Sequence, residues 1–209
     1  GRCNVTNACW DPCELVLNYP RGKLPLFTAF SRFCTGDAVE WFSNHGVELN
    51  IETDGRMFPS SNSSIEVVNC LRRHAKNSGV KVYTKSAVKS LQSLGKDGFL
   101  VVCRNGLSFR SKKVLLATGG HPSGYRLAQE LGHKCIFSVP SLFTLSLDAP
   151  WLTKCSGFVL DHVHMSLNID GQRYDEAGTI LITHWGLSGP AVLRLTSFAA
   201  RSLHSVNYI

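Results

Sequence analysis

The pattern of apolar and polar positions divides the chain into stretches of different character. Residues 1–34 show no period and are rich in turn formers (Asn4, Asn7, Pro12, Pro20, Gly22, Pro25), which predicts an extended or looped entry. Thr35 stands where an N-cap is needed for a helix to about Asn44, with Val39 and Phe42 on one face and Gly46 as its stop. Two short strands, Val47–Ile51 and Arg56–Phe58, are predicted around the turn formers Asp54 and Gly55. Ser63 and Glu66 have the spacing of a capping box, and Val67, Val68, Leu71 and Ala75 then recur at helical spacing up to Gly79. A helix over Ser64–Asn77 follows from that, with a strand at Val80–Thr84 behind it. Helix and strand together read as the second half of a βαβ unit.

Alternation then shortens. Strands are predicted at Ala87–Leu91, Phe99–Arg104 and Leu107–Arg110, with turns at Lys96–Gly98 and at Asn105 and Gly106, the latter a two-residue hairpin signal. Lys113–Ala117 holds unbroken apolar residues, which suits a strand buried on both faces of a parallel sheet. It ends in Thr118, Gly119 and Gly120. A short helix, Tyr125–Leu131, stops at Gly132. From Val139 the pattern predicts only short strands (Ser141–Leu147, Gly157–Val163, Met165–Ile169, Thr179–Thr183) before a last helix, Ala191–Ala199, with Ser188 as its cap. This change of character places a domain boundary near residues 138–140, at Pro140.

Composition narrows the class. Of 209 residues, 44% are apolar and 18% charged, a globular balance. No apolar run is long enough for a membrane span, and no signal peptide opens the chain. The net charge of +7 comes from basic residues that stand in pairs at most, such as Arg72 with Arg73 and Lys112 with Lys113. That pattern disfavours nucleic acid and fits a solvated basic surface or a phosphate-bearing small ligand. The eight cysteines include no CxxC and no zinc-ligand spacing, so no metal site is expected. Scattered and without a secretion signal, they read as small buried residues of a reducing compartment, the cytoplasm or an organelle interior.

Three groups of residues could carry chemistry. Thr118, Gly119 and Gly120 end an apolar strand in bare backbone. They can form a tight turn, or they can let a phosphate or a flat ring approach the sheet's carboxyl edge. Gly1, Arg2, Cys3 and Asn4 offer a guanidinium fork and a thiol, or simply a packed entry segment. The run Thr183–Pro190 lacks the GxSxG register of a hydrolase elbow and yields no Ser-His-Asp triad.

Taken in order, Gly1–Asn7, Asn18–Gly22, Asp54–Pro59, Leu116–Gly120, Ser123–Ala128 with Leu131–His133, and Thr183–Leu193 resemble the motifs of BaiN-type, aminoacetone-oxidase-like FAD-dependent oxidoreductases over nearly the whole chain. The resemblance implies an α/β fold. Residues 1–138 would form an incomplete FAD-binding, Rossmann-like domain of the glutathione-reductase type, and residues 139–209 part of a β-rich inserted domain. It further implies that Gly1, Arg2, Cys3 and Asn4 lie along FAD, that Val88 passes the adenine, and that Ala117, Thr118, Gly119 and Gly120 sit near the pyrophosphate. It assigns no catalytic residue, although Cys3 and His184 stand as candidates by position, and it leaves the small-molecule substrate unknown. The chain departs from the pattern in having no GxGxxG loop, the usual seat of the pyrophosphate. The expectation is therefore a piece cut short at both ends. The alternative is a non-catalytic remnant that does not hold FAD.

Overall fold

The computed structural model describes residues 1–208, and by contact density the chain forms two compact units, Gly1–Thr84 and Lys85–Ile209. The boundary expected near 138–140 rests on sequence character, a different criterion, and falls inside the second unit.

In the first unit the entry segment is more ordered than its turn formers suggest. It forms β1 (Thr6–Asn7), α1 (Pro12–Leu15) and α2 (Lys23–Phe30), with a single 3₁₀ turn at Val16–Asn18. Pro12 and Pro25 lie in first turns, where a missing backbone N–H costs nothing. Helix α3 (Thr35–Asn44) has the predicted span but not the predicted cap. Its N-cap is Cys34, whose N–H donates to Asp37 Oδ2 at 2.6 Å, while Thr35 Oγ1 donates to the Cys9 carbonyl. Strands β2 (Leu49–Ile51) and β3 (Arg56–Pro59) turn at Gly55, where φ is +82°, and β1 adds on the far side of β3 in an all-antiparallel sheet.

Helix α4 (Ser64–Asn77) has the predicted bounds. The capping box does not form: the Ser63 hydroxyl makes no cap bond, Glu66 is held by the Ser61 hydroxyl, and the Ser64 N–H donates to the Gly1 carbonyl at 2.9 Å. Of the predicted face, Val67 is buried together with Cys70, but Val68 and Leu71 are exposed. Val67, Cys70 and Val47 form this unit's core, with Cys3, Val5, Trp41, Phe42 and Leu49 against it.

Two expected strands are absent from the ladders. Val80–Thr84 and Lys113–Ala117 run without strand pairing, and Leu115 is 88% exposed. Every ladder among the described residues is antiparallel. An apolar run marks a parallel strand only when neighbours supply its hydrogen bonds and cover its faces, and neither segment belongs to a described ladder.

The second unit holds two sheets. The first is a meander of β4 (Val88–Ser93), β5 (Phe99–Cys103) and β6 (Ser108–Ser111), close to prediction, with a bulge between Val88 and Ser90. Gly98 is required there. With φ +95°, a Cβ would stand 2.9 Å from Lys112 Cα and closer still to the Ser111 carbonyl oxygen. Helix α5 (Pro122–Glu130) begins three residues earlier than predicted and packs on β4. The second sheet has the order β7 (Leu145–Ser146), β10 (Gly186–Ser188), β9 (Gln172–Thr183), β8 (Val159–Ile169), with α6 (Pro150–Thr153) ahead of β8. The two predicted strands at Gly157–Val163 and Met165–Ile169 are one long β8, bulged between Leu160 and Val163.

Helix α7 (Pro190–Ser205) lies on this sheet. Its residues Ala191, Val192, Leu195, Thr196, Ala199 and Leu203 are buried at helical spacing. Ser188 belongs to β10, so the cap is Gly189, without a side-chain bond. The glycines of this run serve close packing: a Cβ on Gly186 would stand 2.9 Å from the Leu147 nitrogen, and one on Gly189 would stand 2.9 Å from the Ile180 Cα. The fully buried Thr196 hydroxyl is satisfied by the Ser141, Phe143 and Leu193 carbonyls, at 3.3, 3.4 and 3.1 Å. Among the described residues no helix is long and apolar enough to cross a membrane.

Candidate functional site

The best-formed concavity is a cleft of about 510 Å³ in the second unit. Its floor and walls come from three places. The meander contributes Val88, Leu91 and Val101. The unpaired segment contributes Val114 to Thr118, and α5 contributes Leu127. The polar groups are few: Thr118, His121, Ser123 and the exposed Arg104. A mostly apolar cleft with a few polar groups at its rim suits a flat, partly polar ligand.

Local chemistry shapes the rim. His121 is the N-cap of α5: its Nδ1 accepts from the Ser123 N–H at 3.2 Å and lies 2.8 Å from the Ser123 hydroxyl. Pro122 follows at the first helical position, where its fixed φ favours helix entry. Gly124 lets the helix approach Thr118, for a Cβ there would come within 3.0 Å of Thr118 Cβ and nearer to its hydroxyl. Gly119 differs. Its φ is +58°, and a Cβ added to it would meet no protein atom within 4 Å, as at Gly120. Its bare backbone therefore borders open space.

The structure thus brings Val88, Ala117 and Thr118 to one cleft, with Gly119 and Gly120 next in the chain. Gly1, Arg2, Cys3 and Asn4 belong to the other unit. There the Arg2 guanidinium lies 3.8 Å above the Phe58 ring and is ion-paired with Glu52, so its fork is already engaged. Cys3 packs against the Val47, Val67 and Cys70 core, its thiol 3.9 Å from the Asn4 carbonyl. The Asn4 amide, with its nitrogen turned inward, donates to the carbonyls of Thr6 at 2.9 Å and Met57 at 3.2 Å. The segment is fastened by its own side chains.

Sequence reasoning missed Arg104, His121, Ser123 and Leu127. The signal for the middle two was present: a His-Pro-Ser sequence directly after a glycine pair has the form of a capped helix start. Arg104 had none, because nothing in the chain marks which arginine a fold will bring to a cleft.

The cysteines are less buried than expected. Only Cys70 and Cys103 are buried, whereas Cys13 and Cys155 are exposed. Burial pushes the Cys9 thiol up, with the charges of Glu14, Cys34 and Asp11 adding to it. The Asp11 carboxylate pushes Cys13 up as well. Both are held in the less nucleophilic thiol form. His184 stacks edge-on against Trp185, with ring centroids 4.1 Å apart. Among the described residues no three metal-ligating side chains converge.

These elements mix helices with antiparallel sheets, as an α/β protein does, and residues 1–188 match the HI0933-like protein Rossmann domain, so the chain belongs to that Rossmann-type family. It is similar to a 3-dehydro-bile acid delta(4,6)-reductase of Clostridium scindens, 28% identical over 98% of this chain and 50% of that protein. It is also similar to the ribosomal RNA dihydrouridine synthases of Escherichia coli (28% identical, 95% and 50% covered) and Haemophilus influenzae (26%, with the same coverage). The chain spans about half the length of the curated relatives it matches.

Proposed function

We propose that this chain is the FAD-binding portion of a flavin-dependent oxidoreductase, with the cofactor's backbone-contacting part in the cleft bounded by Val88 and Ala117–Gly120. The observation that carries this reading is Gly119: a left-handed residue next in the chain to the cleft-lining Thr118, whose bare backbone borders space no side chain fills. That is the geometry a dinucleotide's close approach requires. Gly1, Arg2, Cys3 and Asn4 are proposed as cofactor-contacting residues on the family resemblance alone. Residues 1–138 serve as an incomplete FAD domain and residues 139–209 as part of a β-rich insertion. The apolar segment Lys113–Ala117, which lies outside every described ladder, takes its strand partners from the rest of a longer protein, as the twofold longer relatives suggest.

The names of the relatives favour one reaction class. A delta(4,6)-reductase and a dihydrouridine synthase each leave a saturated carbon–carbon bond where a double bond stood. FAD, when bound, supplies the hydride chemistry, and this chain's part is to hold and orient it. The substrate proposed is thus a molecule with a C=C bond made electron-poor by a conjugated carbonyl.

A second reading, a remnant that holds no FAD and does not catalyse, is favoured by the lack of GxGxxG. One experiment separates them. The full-length protein is purified and its flavin content measured by absorbance, then the reduced flavin is mixed with conjugated enones. Stoichiometric flavin, reoxidised by an enone, supports the oxidoreductase. A colourless protein that takes up no added FAD supports the remnant.

A further inference from the structure

Residues 10–33 form a flap on the first unit, made of α1, the 3₁₀ turn and α2. Little apolar burial fastens it. Of these residues only Leu15 and Val16 are buried, and α2 buries none of its own. Leu24, in the first turn of α2, is 78% exposed. A segment with so few buried contacts opens locally at low free-energy cost.

The two ends of the flap meet. The Thr35 hydroxyl donates to the Cys9 carbonyl at 2.6 Å, and the Cys34 thiol donates to the Trp10 carbonyl at 3.6 Å. Residues 9 and 10, where the flap begins, therefore lie against residues 34 and 35, where it ends. That places one cysteine on each side of the neck. Both are partly exposed. Burial first, then the charges of Glu14 and Cys34, push the Cys9 thiol up, so the two sulfurs are close enough to sense each other. Behind the neck lies a cavity of about 350 Å³. The flap lines it with Leu15, Tyr19, Phe30 and Phe33, the entry segment adds Val5, and Cys34 itself borders it.

We propose that Cys9 and Cys34 form a redox lock: hydrogen peroxide joins them as a disulfide that closes the neck of the flap and holds the cavity wall in place, and a dithiol reductant releases it. In the first step one thiol takes an oxygen from the peroxide, becoming a sulfenic acid as water leaves. The other thiol then attacks that sulfur and expels a second water. Two thiols and one peroxide thus give one disulfide and two waters, and thiol–disulfide exchange with the reductant reverses the bond. A crosslink between the ends of a weakly packed segment removes the open arrangements in which those ends separate. Cys13 is the other thiol nearby, but it stands on α1, inside the flap rather than at its neck. The lock is independent of the oxidoreductase reading.

The test uses the full-length protein, fully reduced and then treated with an equimolar amount of hydrogen peroxide. Peptide mapping without reduction should find Cys9 joined to Cys34, about 2 Da lighter than the two free peptides together, and dithiothreitol should separate them. Cys9→Ser or Cys34→Ser should abolish the crosslink, whereas Cys13→Ser should leave it in place. Backbone hydrogen exchange in α1 and α2 should slow at least about tenfold when wild type is oxidised and recover on reduction. That comparison uses one sequence in two redox states, so it holds even where a variant misfolds. No crosslink in wild type, a crosslink through Cys13, or a disulfide between two chains would overturn the proposal. A Cys9–Cys34 bond that left exchange in the flap unchanged would overturn it too, since the bond would then lock nothing. Neither readout requires flavin or activity, so failure of the oxidoreductase reading would show separately.

Discussion

Replacing Gly119 by alanine separates cofactor binding from stability. The residue has φ +58°, and an added Cβ would find no protein atom within 4 Å. The folded chain therefore pays only for an L-residue in the left-handed region, about 1–2 kcal/mol, against a usual stability of about 5–15 kcal/mol. The new methyl projects into the space proposed for the cofactor, where backbone must come within van der Waals range of it. Displacing the cofactor by even a fraction of an ångström forfeits much of its contact energy, so we expect flavin affinity to fall at least about tenfold, or ~1.4 kcal/mol. The assay is the flavin-to-protein absorbance ratio of the purified full-length variant, read beside its thermal unfolding. Gly119→Val, with a branched side chain in the same backbone region, should be harsher on both readouts. Ser63→Ala is the control: its hydroxyl makes no cap bond, so flavin content and stability should both stay near wild type. If Gly119→Ala retained flavin as tightly as wild type, Ala117–Gly120 would not be at the cofactor.

Other substitutions test the fold. Gly98→Ala forces a side chain onto the Ser111 carbonyl from a glycine-only conformation, and should cost at least about 2 kcal/mol in denaturant unfolding. Leu195→Ala opens the interface of α7 with its sheet and should cost about 2–5 kcal/mol, seen as a lower midpoint at unchanged slope. Thr196→Val removes the hydroxyl that accepts from the Phe143 N–H at 3.4 Å, and stability should fall by about 1–3 kcal/mol. Asp54 is held below its ordinary value of 3.8, first by the Arg56 N–H and also by the Arg56 guanidinium. Since its folded pKa is depressed, its stabilisation is present above that ordinary value and is lost as pH falls through the folded one. Asp54→Asn should therefore flatten the acid limb of the melting-temperature profile, and an unchanged limb would remove Asp54 from the account.

Sequence by itself determined what depends on a few neighbouring residues. The bounds of α3 and α4, the hairpin at Gly106 and the meander around it follow from period, glycine and turn chemistry, all of which act within a few positions. The family resemblance was legible for a related reason, since ordered short motifs survive where overall identity is near 28%. Tertiary structure decided whatever needs a distant partner. It gave the α4 start to the Gly1 carbonyl and Glu66 to Ser61, replacing a local capping box with bonds the box could not forecast. It left Val80–Thr84 and Lys113–Ala117 out of every ladder, because an apolar run encodes burial but not the strand that must lie beside it. It also brought Lys89, Arg104 and Arg126 to one groove. A chain that shows basic residues only singly or in pairs carries no record of that gathering, since the distance between charges is set by the fold and not by their order.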